Sequence, residues 1–370
     1  MMTVSALVDW LEQRAPLRLQ ESYDNSGLLV GDPNAVITGV LCCLDVDEEV
    51  LLEAVVRGCN VVLSHHPIIF KGLKRLTGKT VSERTVAFAV RHDIALYAGH
   101  TNWDSIAGGV SFSLSRRLGL ENTKVMMPRT GELLQLVVYV PNEFASIVAE
   151  AAFTAGAGHL GNYDECHFAS VGTGTFRPLE GAKPFVGTRG TREVAHEQRL
   201  EFVVPVALKN RVQEAVWKVH PYEEVAHSWI SLDNSWADSG YGAVGDLREP
   251  VRLGDFIAHV ARQLGSDAVR YSRADLDRVV KRVSVCGGSG AEFIQAAAAT
   301  GADVYVTGDA KYHGFQDTPG GIVLVDVGHG ESELPFIEDW AEAIRLEFVT
   351  FAVLISETNN RPVRTYLNHG

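Results

Sequence analysis

Residues 36–64, VITGVLCCLDVDEEVLLEAVVRGCNVVLS, decide the fold. The first part is continuously apolar as far as Leu44, the pattern of a strand buried on both faces. From Asp47 to Gly58 the apolar residues recur at helical spacing, and Asp47, Glu48 and Glu49 put acids where a helix N-terminus favours them. Cys59 to Ser64 is apolar again. Strand, helix and strand at these lengths form a parallel βαβ unit, so the layer is α/β. The pattern continues outward: SERTVAFAVRHD (82–93) reads as a helix, and IALYAGHTNWD (94–104) as a strand running into a loop. It returns late in the chain. RVVKRVSVCGGSG (278–290) is a strand entering a Gly-rich turn, AEFIQAAAATG (291–301) a helix, and ADVYVTGDA (302–310) and GGIVLVDVGHG (320–330) are strands.

Between these halves the grammar changes. LLQLVVYVP (133–141) is a strand, EFASIVAEAAFTAG (143–156) a helix, and a Gly-, Pro- and Thr-rich stretch runs from Gly172 to Gly190. RLEFVVPV (199–206), ALKNRVQEAVWKVH (207–220) and EVAHSWISL (224–232) follow as strand, helix and alternating strand. That is the order of a ferredoxin-like split βαβ unit. The expected architecture is one α/β domain, residues 1–128 plus 240–370, interrupted by an α+β insertion at 129–239. MMPRTGE (126–132) and DNSWADSGYGAVGD (233–246) are expected to be linkers.

Composition sets the outer bounds. At roughly 150 residues per domain, 370 residues call for about two domains. With 46% hydrophobic and 21% charged residues the chain is globular, and a net charge of −13 excludes a broad nucleic-acid footprint. Five cysteines at no CxxC spacing argue against a disulfide framework or a Cys-type zinc site. No apolar run approaches the ~20 residues of a membrane span, and no basic segment followed by an apolar core opens the chain. A soluble, cytoplasmic protein is expected.

Chemistry concentrates where strands end, which is where parallel α/β sheets bind ligands. Ser64-His65-His66-Pro67 follows NVVL, and two adjacent histidines there can splay toward two neighbouring ions. His100-Thr101-Asn102-Trp103-Asp104 follows IALYAG, and its carboxylate can bridge two cations. Asp326 to Glu333 follows GIVLV; His329 and Glu333 are four apart and share a face if a helix begins there, although first-turn acids would also explain Glu331 and Glu333. Gly308 to His313 follows ADVYVT, with Asp309 and His313 as an acid/base pair. Converging on one edge of a single sheet, three histidines and two carboxylates make a mixed N/O set suited to zinc, manganese or iron.

Other positions carry two readings. Lys71, Lys74 and Arg75 either meet substrate phosphates or sit on a solvated loop. Asp24 to Gly27 either shapes the rim of the site or is a turn. Cys286 to Gly290 either cradles phosphate or packs a strand tightly onto a helix, and His220-Pro221-Tyr222-Glu223-Glu224 either binds a small ligand or closes a turn. His92, His159, His167, His196, His227, His259 and His369 stand singly and read as structural.

LVDWLEQRAPLRLQESYDNSGLLVGD (7–32), SHHPIIFKGLKRL (64–76), YAGHTNWDSIAGGVS (97–111), VCGGSG (285–290), TGDAKYH (307–313) and DVGHGESE (326–333) occur in this order. Together they make the chain resemble the Nif3-like family, the GTP cyclohydrolase I type 2 homologues. VVYVP, GAGHLGNYDEC, GTGTFRP and HPYEEVA make the insertion similar to the PII/CutA-like domain of its longer bacterial members. The resemblance implies a centre of two divalent metal ions per subunit, zinc foremost, with manganese or iron as alternatives. The family's ligands fall on His65, His66, Asp104, His329 and Glu333. It also implies a homohexamer, a trimer of dimers with the sites facing an internal cavity.

Two functions follow as expectations. One is a metal-dependent hydrolase resembling GTP cyclohydrolase, acting on a nucleotide-type small molecule, with a nucleotide phosphoesterase as its nearest enzymatic alternative. The other is a metal-binding regulatory or assembly protein without significant turnover, the reading to which the family's interaction-derived name points.

Overall fold

Gly39–Cys43, Val61–Ser64 and Ala95–Ala98 are buried along their whole length and form the parallel centre of a five-stranded sheet. This computed structural model describes residues 1–366; His369 lies outside them. The helices Glu48–Val56 and Val81–Arg91 make the two crossovers. Asp47 caps the first by accepting from Glu49 N and Val50 N at 3.0 Å each, and Thr80 caps the second through Glu83 N. Gly27–Val30 closes one edge antiparallel to Ala95–Ala98, and Ala352–Ile355 closes the other in parallel with Gly39–Cys43.

A second sheet of six strands carries the late motifs. Its parallel centre is Val279–Val285, Val304–Thr307 and Val323–Asp326. The single sheet expected to gather every motif is therefore two sheets. The hydrophobic runs were equally consistent with one or two layers, because periodicity says nothing about which strand pairs with which. The expected linkers differ as well: Leu120–Arg129 and Trp236–Arg252 are long strands of this second sheet. Their small and polar residues suit close approach between neighbouring strands, so a loop-like composition concealed extended structure.

The helix His329–Glu347 joins the end of the second sheet to the core of the first. Phe336, Trp340 and Ile344 are buried among Tyr97, Trp103 and Leu63. Trp340 stacks on Phe336 at 5.1 Å between centroids and meets Trp103 at 5.4 Å. Burying aromatic surface of this size is what fixes the helix and the groups at its first turn.

Met1–Met127 with Asp238 onward form one compact unit, and Pro128–Ala237 form another. The second unit is α+β. Its antiparallel strands lie in the order His227–Leu232, Leu133–Pro141, Glu193–Pro205, Phe168–Phe176, the ferredoxin-like arrangement, and the helices Ala145–Thr154 and Lys209–Val219 complete its core. All five cysteines are free, and among the described residues no helix is long and apolar enough to cross a membrane.

Candidate metal centre

The first sheet delivers histidines from neighbouring strand ends. His65 and His66 follow Ser64 directly. His65 is fully buried, and its Nδ1 donates to the Gly99 carbonyl at 2.7 Å. His66 Nδ1 donates to Asp45 Oδ1 at 2.9 Å, Asp45 lying just past the strand Gly39–Cys43. His100, after Ala95–Ala98, donates from Nδ1 to Asp24 Oδ1 at 2.7 Å. The same Asp24 carboxylate accepts from Thr101 N at 3.0 Å and from the hydroxyls of Thr101 and Ser26. Burial opposes charge on Asp24, but the bonds from His100 and Thr101 prevail and hold it well below the usual carboxylate range. A single helical turn, Thr101–Asp104, then lifts Asp104 to the same place.

The second sheet delivers the other half. After Val323–Asp326, Asp326 accepts from Gly328 N at 2.9 Å and Ala310 N at 2.8 Å, tying two strand-end loops together. His329 opens the helix, and Glu333 lies one turn on, buried to 3% exposure. Asp309 holds His329 Nδ1 at 2.8 Å from a left-handed backbone conformation, φ 54°. Ser332 Oγ accepts from Gly288 N at 2.8 Å and donates to the His329 carbonyl, locking the Gly-rich turn onto the helix. Gly288 must be glycine: its φ is +64°, and a Cβ there would lie 2.3 Å from Glu333 Oε1.

In all four histidines, then, Nδ1 donates to a fixed acceptor, so that in the neutral ring Nε2 is the nitrogen with a lone pair to give a ligand. His66 Nε2 and His329 Nε2 face each other at 3.3 Å, with Glu333 oxygens 3.2 and 3.3 Å from them. His65 Nε2 lies 3.5 Å from Glu333 and 3.8 Å from Asp104. Three of these buried atoms, His65 Nε2, Asp104 Oδ1 and Glu333 Oε2, have no hydrogen-bond partner. Converging acceptors without donors are costly in protein alone and are the natural ligand set of a cation. Potential ligand atoms of His65, His66 and His100, and again of His66, His329 and Glu333, lie within 4.8 Å of one another.

Protonation shows the same demand for positive charge. Burial works against charge on His66, yet Asp45 and Glu333 push its pKa up to about 10. The hydrogen bond with Glu333, aided by Asp309 and opposed by burial, pushes His329 up to about 9. Burial raises Asp104 to about 7. It opposes charge on Glu333 too, but His65 and the bond from His329 hold that carboxyl well below its ordinary range. A cavity of about 470 Å³ opens on the cluster, its wall including Tyr23, His100, Asp104, Tyr241, Ser289 and Glu333. Tyr241 stacks on Phe293 at 5.2 Å, and its hydroxyl donates to Glu21.

The structure thus brings His65, His66, Asp104, His329 and Glu333 together. It does not bring the other proposed residues to them. Lys71, Lys74 and Arg75 are exposed and line no part of this cavity. His313 is exposed and bonds Gln316 at 3.3 Å, while Asp309, its expected partner, serves His329. The backbone N–H groups of Gly287, Gly288 and Gly290 are taken by Ser111, Ser332 and Thr307, which favours the packing reading of that turn, while Gly287, Gly288 and Ser289 also line the cavity. His100, Asp24, Asp45 and the Gly99 carbonyl join the cluster beyond the five. Asp24 sits in the turn DNSG (24–27) and Asp45 two residues past the strand Gly39–Cys43, and nothing in the sequence pairs either with its histidine.

Comparison with known proteins gives a consistent family. The profile of Duf34/NIF3 (NGG1p interacting factor 3) matches residues 2–362. A Bacillus subtilis (strain 168) protein named GTP cyclohydrolase 1 type 2 homolog is 38% identical over 371 residues, covering 96% of each chain. A Mycobacterium tuberculosis protein of the same name is 35% identical over 347 residues, covering 92% of this chain and 91% of the relative. The crystal structure of a Bacillus cereus protein related to NIF3 superposes with a TM-score of 0.86 at 37% identity over 99% of both chains.

Proposed function

This chain belongs to the Duf34/NIF3 family, and from that premise we propose that it is a dinuclear-metal-dependent hydrolase acting on a nucleotide-type substrate. The observation that carries the reading is the set of buried, partnerless atoms on His65, Asp104 and Glu333, surrounded by histidines whose Nδ1 atoms are already committed. His65, His66, Asp104, His329 and Glu333 would hold the ions, with His100 beside them. Four imidazoles and the Asp104 and Glu333 carboxylates offer more ligand atoms than one four-coordinate ion needs, which supports a pair of ions over one. Divalent ions of the zinc, manganese or iron type would supply Lewis acidity to activate water and an electrophilic carbon or phosphorus.

The chain's own part is preorganisation. Asp24, Asp45, Asp309 and the Gly99 carbonyl fix tautomer and ring orientation, so no imidazole has to turn as a ligand arrives. Tyr23, Tyr241 and Ser289 give the cavity wall an aromatic and hydroxylic surface for a heterocycle. No lysine or arginine is among the described residues of that wall, so phosphate charge falls to the ions themselves. The relatives' names make GTP the first substrate to test, and the family resemblance points to a homohexamer, which light scattering of the purified chain tests.

The decisive experiment loads the protein with zinc, manganese or iron and follows GTP for ring-opened product and for free phosphate. Asp104→Ala, prepared identically and checked for metal by elemental analysis, is the control. Ring opening that vanishes in the variant establishes the cyclohydrolase reading. Phosphate release alone, lost likewise, reassigns the protein to the phosphoesterases. Neither product from metal-loaded protein removes GTP as substrate and gives precedence to the regulatory reading. Equal metal content in variant and wild type overturns the site itself.

A further inference from the structure

Residues 128–237 enclose a cavity of their own, about 570 Å³. Three segments far apart in sequence build it: Tyr139 on the strand Leu133–Pro141, the GTGTFRP run (172–178), and the HPYEEVA run (220–226). The last is held rigidly. His220 is buried, its Nε2 donates to the Tyr139 carbonyl at 3.0 Å, and its Nδ1 accepts from Tyr222 N at 3.1 Å. The segment 177–190 is tied down opposite by Gly190 N to the Pro178 carbonyl at 2.8 Å, Arg189 Nε to the Ala182 carbonyl at 2.8 Å, and Lys183 N to the Glu223 carboxylate at 2.7 Å. Aromatic rings from these segments line the cavity.

Those faces are Phe176, Phe185 and Tyr222, with Tyr222 centred 6.2 Å from Phe176 and 6.3 Å from Phe185. Phe185 is 49% and Leu179 64% exposed, so an apolar lip borders the opening. The charged lining is unbalanced: Glu197, Glu223 and Glu224 against Arg177 among the described lining residues. Glu197 Oε2 lies against the backbone at Gly174, with the Tyr222 hydroxyl beside the carboxylate.

We propose that this pocket binds a small organic cation, a primary ammonium carried on an apolar or aromatic body. The ammonium pairs with Glu197, a charge-assisted contact, and the ring faces of Phe176, Phe185 and Tyr222 attract the same charge while covering the apolar body. Apolar walls with a few placed polar groups, in a volume of this size, are the usual form of a small-molecule site. A carboxylate ligand would meet three like charges.

The probe is 2-phenylethylamine, titrated into the full-length protein by calorimetry and by saturation-transfer NMR, with 2-phenylethanol and 3-phenylpropionate as the neutral and anionic counterparts. The amine is expected to bind saturably, with the other two at least about tenfold weaker, the worth of one charge-assisted contact. Glu197→Gln is expected to weaken the amine by about tenfold or more, and Asp104→Ala to leave its affinity unchanged. Equal affinity for the three probes, no saturable amine binding below roughly 10 mM, or full affinity in Glu197→Gln overturns the proposal. If Glu197→Gln fails to fold, the amine–alcohol comparison in the wild type still decides it. Concentration-dependent self-association that masks the pocket and ignores the amine would assign the apolar lip to a second copy of the chain and overturn it too.

Discussion

The metal centre and the cavity of the inserted unit are both concave and both built from distant segments, yet their polar groups are in opposite states. In the centre, the outward-facing nitrogens are committed and the inward atoms of His65, Asp104 and Glu333 lack partners. In the inserted unit, His220 has both ring nitrogens bonded, and the surface left wanting is apolar. The difference teaches what each can hold. Converging acceptors without donors are suited to a cation; an apolar wall with acids at its edge is suited to an apolar body that carries a charge.

The largest effect that would separate the two regions comes from the core beneath the centre. Trp340 is 1% exposed in the cluster containing Phe336 and Trp103, and the inserted unit has a separate core around Val138, Phe202 and Val216. Trp340→Ala should cost about 3–5 kcal/mol, the range for deleting a buried indole. Hydrogen exchange should show lost protection in strands 39–43, 61–64 and 95–98 and unchanged protection in 133–141 and 193–205. Uniform loss across both sets would mean that the two units unfold as one.

Next in size is the orientation of a single imidazole. Asp45→Ala frees His66 Nδ1 and should weaken metal binding about 10- to 100-fold, as loss of an orienting carboxylate does elsewhere. Asp309→Ala should cost less, since the Asp309 side chain is 54% exposed against 34% for Asp45 and water can take its place. Chelator competition measures both, and neither change should alter the inserted cavity's affinity for 2-phenylethylamine. A tighter-binding Asp45→Ala would show that the tautomer is set by something else.

The sequence was legible wherever chemistry and chain neighbourhood coincide. His65 and His66 stand immediately after an apolar strand, and His329 and Glu333 are one helical turn apart, so each pair was visible as neighbours, and the family resemblance singled them out as ligands. The ferredoxin-like order of the insertion was legible for the same reason. What could not be read was pairing over distance. Asp24 meets His100 across 76 positions and Asp309 meets His329 across 20, with no periodic signal connecting them. The division into two sheets, and the strands hidden in MMPRTGE and DNSWADSGYGAVGD, depend on which strands become neighbours. His313 and the cations of the Lys71–Arg75 run stand near motifs in sequence, yet they are exposed and lie outside the lining of the cavity at the cluster.

The smallest effect concerns acid. Glu53 accepts from the Ser356 hydroxyl at 2.6 Å, from the Thr358 hydroxyl at 2.7 Å, from the backbone of Glu357 and Thr358, and from Arg57. Burial opposes its charge, but these donors, Ser356 foremost, bring the carboxyl down to about 2 from 4.5. A carboxyl lowered on folding stabilises the fold above its unfolded value and loses that contribution as the pH falls through the folded one. Glu53→Gln should therefore destabilise by about 1.5 kcal/mol at neutral pH, the lower end of the range for hydrogen bonds to a charged group, since the amide keeps part of the bonding. The gap to wild type should narrow steadily below about 4.5 and nearly close near pH 2. Because Glu53 fastens the segment after Ala352–Ile355 to the helix Glu48–Val56, the loss should register in strands 39–43 and 352–355 before it registers in 193–205. Denaturant melts from pH 7 to 2, read by exchange at those strands, would detect it; a gap that stays constant with pH would show that Glu53 acts through packing and not through its charge.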